Sequence, residues 1–332
     1  MPDIASPSAS TLNPAKTARQ RTDTFTSIWM MIAVAMAIAT LVAKSRMPQP
    51  LWTMIHLVTL GVLSNGIFQW SWFFARSLAR LSADDPRARR HNTIRVLIFN
   101  AFFASLFVSM WLGWMVGTVI AATGIAAVAA WHGAEMLSVL RERLASRFVI
   151  VVRYYVCSAS FFVLAALLAS FVTVTMFSPS IPEAMVAMRD RLTLAHALSG
   201  VAGWVGLTIG GTVITLGPTI LRTRMSPDAV RGGVRVLLPW CLSLLLAIAG
   251  ALLGVMPLVG AGILAVGACA IVGIVYPYAK VLRNKGPREY SAWSFLLGLL
   301  WISVGVCALG VAALFISTPS QLRALTLMWL PI

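Results

Sequence analysis

Read from its N-terminus, the chain alternates long apolar runs with short polar segments. Apolar stretches cover residues 27–43, 51–74, 95–115, 117–138, 149–176, 193–218, 236–254, 257–279 and 292–316. Each is close to or above the roughly 20 residues that an α-helix needs to cross a bilayer, so the pattern predicts nine spans. Within the runs, apolar residues occupy every helical face, as lipid on one side and packed protein on the other require. Runs three and four, and runs seven and eight, are separated only by turns around Gly113-Trp114 and Met256-Pro257. Such uncharged connections predict tight helical hairpins.

Composition narrows the class further. Of 332 residues, 59% are hydrophobic and 11% charged, whereas soluble domains carry roughly 25% charged residues. That excludes an ordinary soluble domain and a disordered chain. The expected fold is an all-α integral membrane protein with about nine transmembrane helices. The net charge is +16. In a soluble chain such an excess suggests nucleic acid; here the cations lie between apolar runs and read as orientation signals, with the lipid bilayer as the partner and no nucleic acid.

With the N-terminus inside, 21 of the 26 basic residues fall in cytoplasmic segments, near Arg21, Arg89, Arg147, Arg224 and Lys285. Lys44, Arg46, Arg189, Arg191 and Arg323 remain outside. This asymmetry predicts a multi-pass plasma-membrane protein with a cytoplasmic N-terminus and an extracytoplasmic C-terminus. Residues 1–26 read as a cytoplasmic tail preceding a signal-anchor helix. Trp329 reads as an interfacial anchor in the tail.

The chain also repeats. His56 and His196 are 140 positions apart, as are Gly66 and Gly206, and Arg95-Val96-Leu97 and Arg235-Val236-Leu237. The organisation around them matches: an apolar helix, a helix opening with His, a basic loop containing Asp and Pro, and a two-helix hairpin. This predicts two parallel four-helix repeats, residues 27–143 and 144–285, followed by a final helix and tail at 286–332. The ninth helix would open a third, truncated unit.

Few residues can carry chemistry. His56 and His196 each lie about one turn into an equivalent helix, at the same expected depth near the extracytoplasmic surface. Imidazole offers a lone pair at neutral pH and binds heme iron or copper. The other reading is two structural histidines hydrogen-bonded near the headgroups; a proton-handling role is a third. His132 and Glu135 share a helix face at i, i+3 spacing. Glu135 is expected to snorkel towards the cytoplasmic edge near Arg141, with a proton or quinone-headgroup role as the alternative. A di-iron site needs further carboxylates on facing helices.

The remaining polar and aromatic positions read as structural. His91, among Arg87, Arg89 and Arg90, reads as part of a solvated basic loop. Asn65 and Asn100 read as an interhelical hydrogen-bonding pair. The stretch Phe68, Trp70, Trp72, Phe73, Phe74 reads mostly as a lipid or interface belt, and Gly206, Gly210 and Gly211 as close helix packing. Cys157, Cys241, Cys269 and Cys307 read as small buried hydrophobes.

Two stretches, "HLVTLGVLSNGIFQWSWFFARSLAR" from His56 and "HALSGVAGWVGLTIGGTVITLGPTILRTRM" from His196, carry a resemblance. With the helix count, they resemble the actinobacterial polytopic domains that often precede cupredoxin modules in multicopper oxidases and copper nitrite reductases. Those domains look like distant relatives of the heme–copper oxidase core and of nitric-oxide-response heme–copper membrane proteins. The resemblance implies heme or copper as cofactor, His56 and His196 as ligands, and a cupredoxin-type or other redox partner on the extracytoplasmic side. It implies a role in electron transfer or in metal and nitrogen-oxide handling. Relatives carry a second His two residues after the first in the sixth helix, and then an Asn, where this chain has Leu198 and Gly200. A dinuclear oxygen-reducing centre is therefore not expected from this sequence alone. A permease-like transporter and a cofactor-free structural or assembly subunit are the rival readings.

Overall fold

The computed structural model describes residues 14–43, 46–82, 84–88, 90–142, 149–177, 182–224, 227–284, 286–287 and 289–329. The expectations placed on residues 1–13, Lys44, Arg89, Arg147 and Lys285, and on the Trp329 side chain, lie outside what it describes.

Among the described residues there are nine helical segments long and apolar enough to cross a membrane. The chain is an all-α polytopic membrane protein. The elements are α1 (Pro14–Ala43), α2 (Pro50–His56), π1 (Leu57–Ser64), α3 (Asn65–Leu78), α4 (Arg90–Trp111), α5 (Met115–Glu142), α6 (Val149–Phe177) and α7 (Glu183–Ala197). They continue with π2 (Leu198–Gly206), α8 (Leu207–Ile220), α9 (Pro227–Leu253), α10 (Met256–Ala270), π3 (Ile271–Val275), α11 (Tyr276–Asn284), α12 (Tyr290–Phe315) and α13 (Pro319–Trp329). The second span is therefore α2-π1-α3, the sixth α7-π2-α8 and the eighth α10-π3-α11.

Helices begin earlier than hydropathy suggested. The sixth starts at Glu183 and the seventh at Pro227, so much of the expected basic loop before Arg235 is already helical. Polar first turns carry helix beyond the apolar run because backbone hydrogen bonding is indifferent to side-chain polarity. The tail also contains a helix, α13.

The two halves stop their helices in the same way. Gly113 (φ 65°) and Gly254 (φ 75°) take left-handed backbone at the hairpin turns. Each is followed by a six-to-one closure, Trp114 N–H to Ser109 O at 2.9 Å and Val255 N–H to Gly250 O at 2.8 Å. The second turn thus lies two residues before the predicted Met256-Pro257. At the other end, Arg80 (φ 51°) and Arg222 (φ 50°) terminate the second and sixth spans.

Small residues set the close approaches. A Cβ on Gly211 would stand 2.6 Å from Tyr154 Cβ, and one on Gly260 would stand 2.8 Å from Gly310 O. α12 buries only Ala292, Ser303, Gly310 and Ala313, and it docks on α10 through this small-residue stripe. Gly206 does not share that role; its Cβ position meets only Val201 O of its own segment, at 3.5 Å, and no other helix within 4 Å. The cysteines are free and half-buried rather than fully buried.

Within the first half, the reciprocal amide pair Asn100 Nδ2–Asn65 Oδ1 (2.8 Å) and Asn65 Nδ2–Asn100 Oδ1 (3.2 Å) ties span two to span three. Trp29 adds an indole N–H to Asn100 Oδ1 at 2.6 Å from α1. The aromatic stretch divides by helical phase and is not one belt. Phe68 and Trp72, four residues apart, are buried, while Trp70 faces outward.

Candidate functional site

His56 is the last residue of α2, and the backbone then widens into the eight-residue π1. His196 is the penultimate residue of α7, before the nine-residue π2. π segments of this length are uncommon, and insertions of this kind recur at functional sites because they re-aim side chains relative to a regular helix. The two imidazoles face one another with ring centroids 6.0 Å apart and planes 16° from parallel. Trp52 lies against the other side of His56, with centroids 4.4 Å apart.

The hydrogen bonds decide the tautomers. His56 Nδ1 lies 2.9 Å from Trp52 O, and His196 Nδ1 lies 2.8 Å from Ala165 O. A carbonyl can only accept, so both Nδ1 atoms carry the proton. Both Nε2 atoms then present a lone pair, and no residue among those described hydrogen-bonds to either. A backbone carbonyl on the far ring nitrogen is the usual device that orients a ligating imidazole.

The donor set limits what such a pair could hold. Among the described residues no group of three or more His, Cys, Asp or Glu side chains could hold a metal ion. Structural zinc needs four protein ligands, so it does not fit. Two imidazoles suit a heme iron, whose porphyrin supplies the other four nitrogens, or a two-coordinate cuprous ion. A metal shared by the two imidazoles requires their Nε2 atoms about 4 Å apart, with each bond of about 2 Å lying in its ring plane.

His132 and Glu135 lie at the opposite end of the bundle, towards the loop that carries Arg87. They are not beside the His56–His196 pair. His132 is fully buried, with its edge against Phe68 at 4.7 Å between centroids. Ser71 gives its hydroxyl proton to Ile67 O (2.6 Å), so Ser71 Oγ accepts from His132 Nε2 across 3.1 Å. Glu135 does not snorkel. It is 8% exposed, and its Oε1 accepts from His91 Nδ1 (2.8 Å) and Trp131 Nε1 (3.0 Å). His91 is likewise no loop residue; it belongs to the first turn of α4. These bonds hold Glu135 inside because an intramembrane carboxylate needs partners wherever it can reach them.

Arg95, expected in a cytoplasmic segment, is fully buried on α4. Its Cζ lies 5.1 Å from the Trp72 ring and 5.9 Å from the Trp131 ring, and its Nη2 donates to Asn92 Oδ1 at 2.9 Å. Its counterpart 140 positions on, Arg235, is exposed. The sequence signal was available: Arg95 sits at the edge of an apolar run, one turn from His91.

At the loop, Asp85 and Glu142 both pair with Arg87, at 2.6 Å each. The Arg87 guanidinium holds the Asp85 carboxyl below the usual carboxylate range.

No protein-family model matches the sequence, and neither a curated protein nor a solved structure matches it.

Proposed function

We propose that the chain is a heme- or copper-binding membrane component of electron transfer or of metal and nitrogen-oxide handling, with His56 and His196 as the ligands. One observation carries this reading. Both imidazoles have Nδ1 tied to a backbone carbonyl and Nε2 left with its lone pair, on rings that face each other at 6.0 Å. Two histidines kept only for packing would have no need of the same tautomer, orientation and π-segment context. The resemblance of the two His-led stretches to the polytopic domains named above favours the same cofactors.

The bound metal would supply one-electron redox chemistry or a site for a diatomic ligand. The chain would set the ligand field through the two imidazoles, and Trp52 would fix the plane of His56. The membrane is the plasma membrane in this reading, with the N-terminus cytoplasmic. His56 and His196 then lie at the extracytoplasmic end, where a cupredoxin-type or other redox protein could exchange electrons with them.

The test is spectroscopic. The purified full chain, produced with heme and copper in excess, should carry one of them. His56→Ala and His196→Ala should each lose it while remaining inserted. A wild-type protein that carries neither metal, by absorption spectrum and elemental analysis, sinks the reading.

A further inference from the structure

The Arg95 cluster stands apart from the proposed metal site, and its polar atoms are not satisfied by protein. Arg95 Nε and Nη1, Trp72 Nε1, His132 Nδ1 and Glu135 Oε2 are all buried with no hydrogen-bond partner among the described residues. Orphaned buried atoms of this kind are rare, and a guanidinium and a carboxylate left so would each be strongly unfavourable. They belong to one neighbourhood. Trp131 stands 5.9 Å from Arg95 Cζ and donates to the other oxygen of Glu135. His132 and Glu135 lie three residues apart on one face of α5. Yet Arg95 and Glu135 form no direct ion pair.

The chemistry of the missing group follows from the donor set. Arg95 Nε and Nη1 and Trp72 Nε1 are three donor nitrogens. Glu135 Oε2 presents an acceptor. His132 Nδ1 is also an acceptor, because Nε2 carries its proton to Ser71. A cation would be repelled by Arg95, and a simple anion would leave Glu135 and His132 unmet. Water both accepts and donates, and buried water typically makes about three hydrogen bonds to such atoms.

We propose that Arg95, Trp72, His132 and Glu135 enclose an internal water cluster that holds an exchangeable proton, and that His91 connects it to the aqueous phase at the Arg87 end of the bundle. His91 suits that task by position: its side chain is 39% exposed while Nδ1 touches Glu135 Oε1. A proton taken up at His91 Nε2 and released from Nδ1 to Glu135 leaves His91 neutral and the carboxyl protonated. The cluster gains one positive charge in the exchange. From Glu135 the proton is shared with the waters and with His132 Nδ1. The titratable and charged groups around Glu135 are His91 and Arg95 on α4, His132 on its own helix, and Arg87 with its partners Asp85 and Glu142 at the loop. α3 contributes the neutral Ser71 and Trp72 and, one turn further on, the half-buried Arg76, whose guanidinium lies over the Phe73 ring at 5.5 Å. α6 contributes no charge, since Arg153 is exposed and the Tyr154 and Tyr155 hydroxyls bond Gly233 O and Thr212. The proposal stands whether or not His56 and His196 hold a metal.

Infrared difference spectroscopy on the full chain in nanodiscs tests it. The wild-type protein should show a protonated-carboxyl band that titrates reversibly, shifts in D2O as fast as solvent is exchanged, and vanishes in Glu135→Gln. His91→Phe should keep the band and slow its exchange by about tenfold or more. Exchange in the wild type needs no variant, so a poorly folding Glu135→Gln does not remove the test. A carboxyl signal that resists D2O for hours, or one that does not depend on Glu135, overturns the proposal, as does unaltered exchange in His91→Phe.

Discussion

Trp204 donates its indole N–H to Ser64 Oγ across 2.9 Å, and the two residues stand 140 positions apart. That is the interval between His56 and His196, whose rings also meet. Two such contacts, in the same order along both helices, set the helices side by side and running in the same direction. The second and sixth spans are so arranged, with the histidines at one end and Ser64–Trp204 deeper in.

The Ser64–Trp204 bond should therefore couple the two halves. Ser64→Ala and Trp204→Phe are each expected to destabilise the protein, with a coupling energy of about 0.6 kcal/mol, the usual size for interhelical hydrogen bonds in membranes. A double-mutant cycle read by steric trapping or denaturant unfolding measures it. Strict additivity would show that the bond does not link the halves energetically.

The buried charges predict an asymmetry. Arg95→Leu should cost about 1–3 kcal/mol, because it removes a nearby buried cation that compensates the Glu135 carboxylate without pairing with it directly. Arg95→Leu combined with Glu135→Leu should recover most of that loss. Equal damage in the single and double variants would mean that Arg95 acts through its packing on Trp72 and Trp131.

Gly262 tests the α9–α10 hairpin. A Cβ there would meet Ala247 N at 2.6 Å and Ser243 O at 2.7 Å, backbone atoms that cannot rotate away. Gly262→Ala should destabilise by about 1–3 kcal/mol through overpacking. Gly298→Ala, where nothing lies within 4 Å, should be neutral or slightly stabilising. Thermal unfolding of the two variants compares them directly.

Acid should weaken the loop at Arg87. The Asp85 carboxyl titrates below its usual range because Arg87 pairs with it. A depressed carboxylate stabilises the fold above its unfolded-state pKa of about 3.9, and the contribution is lost as pH falls through the lower folded value. The Tm difference between wild type and Asp85→Asn should be constant near neutrality and shrink below about pH 4. A difference that grows on acidification has the wrong sign for this pairing.

Reporter fusions or cysteine labelling should place Arg224 on the cytoplasmic side and Arg323 outside. A C-terminus accessible from the cytoplasm would contradict the orientation read from the basic residues.

The apolar runs alone determined the all-α membrane class and the nine spans, because length and hydropathy act locally and the bilayer imposes one solution on each run. The Asn65–Asn100 pair was legible too, since buried amides in neighbouring helices must find each other. The 140-residue interval also singled out His56 and His196. Only the tertiary structure decided how those rings are held. Ala165 O, which fixes the His196 tautomer, is a backbone atom on another helix and leaves no mark on composition or spacing. The same holds for Glu135. Its neighbour in sequence, Arg141, suggested an escape to the surface, whereas α4 brings His91 to the carboxylate, beside Trp131 of its own helix. Arg95 counted as a loop cation until α4 began five residues before it and turned it against Trp72. Hydropathy reports what a segment costs to bury, but the partners that make burial of a charge tolerable come from other helices, and only the packed bundle brings them within reach.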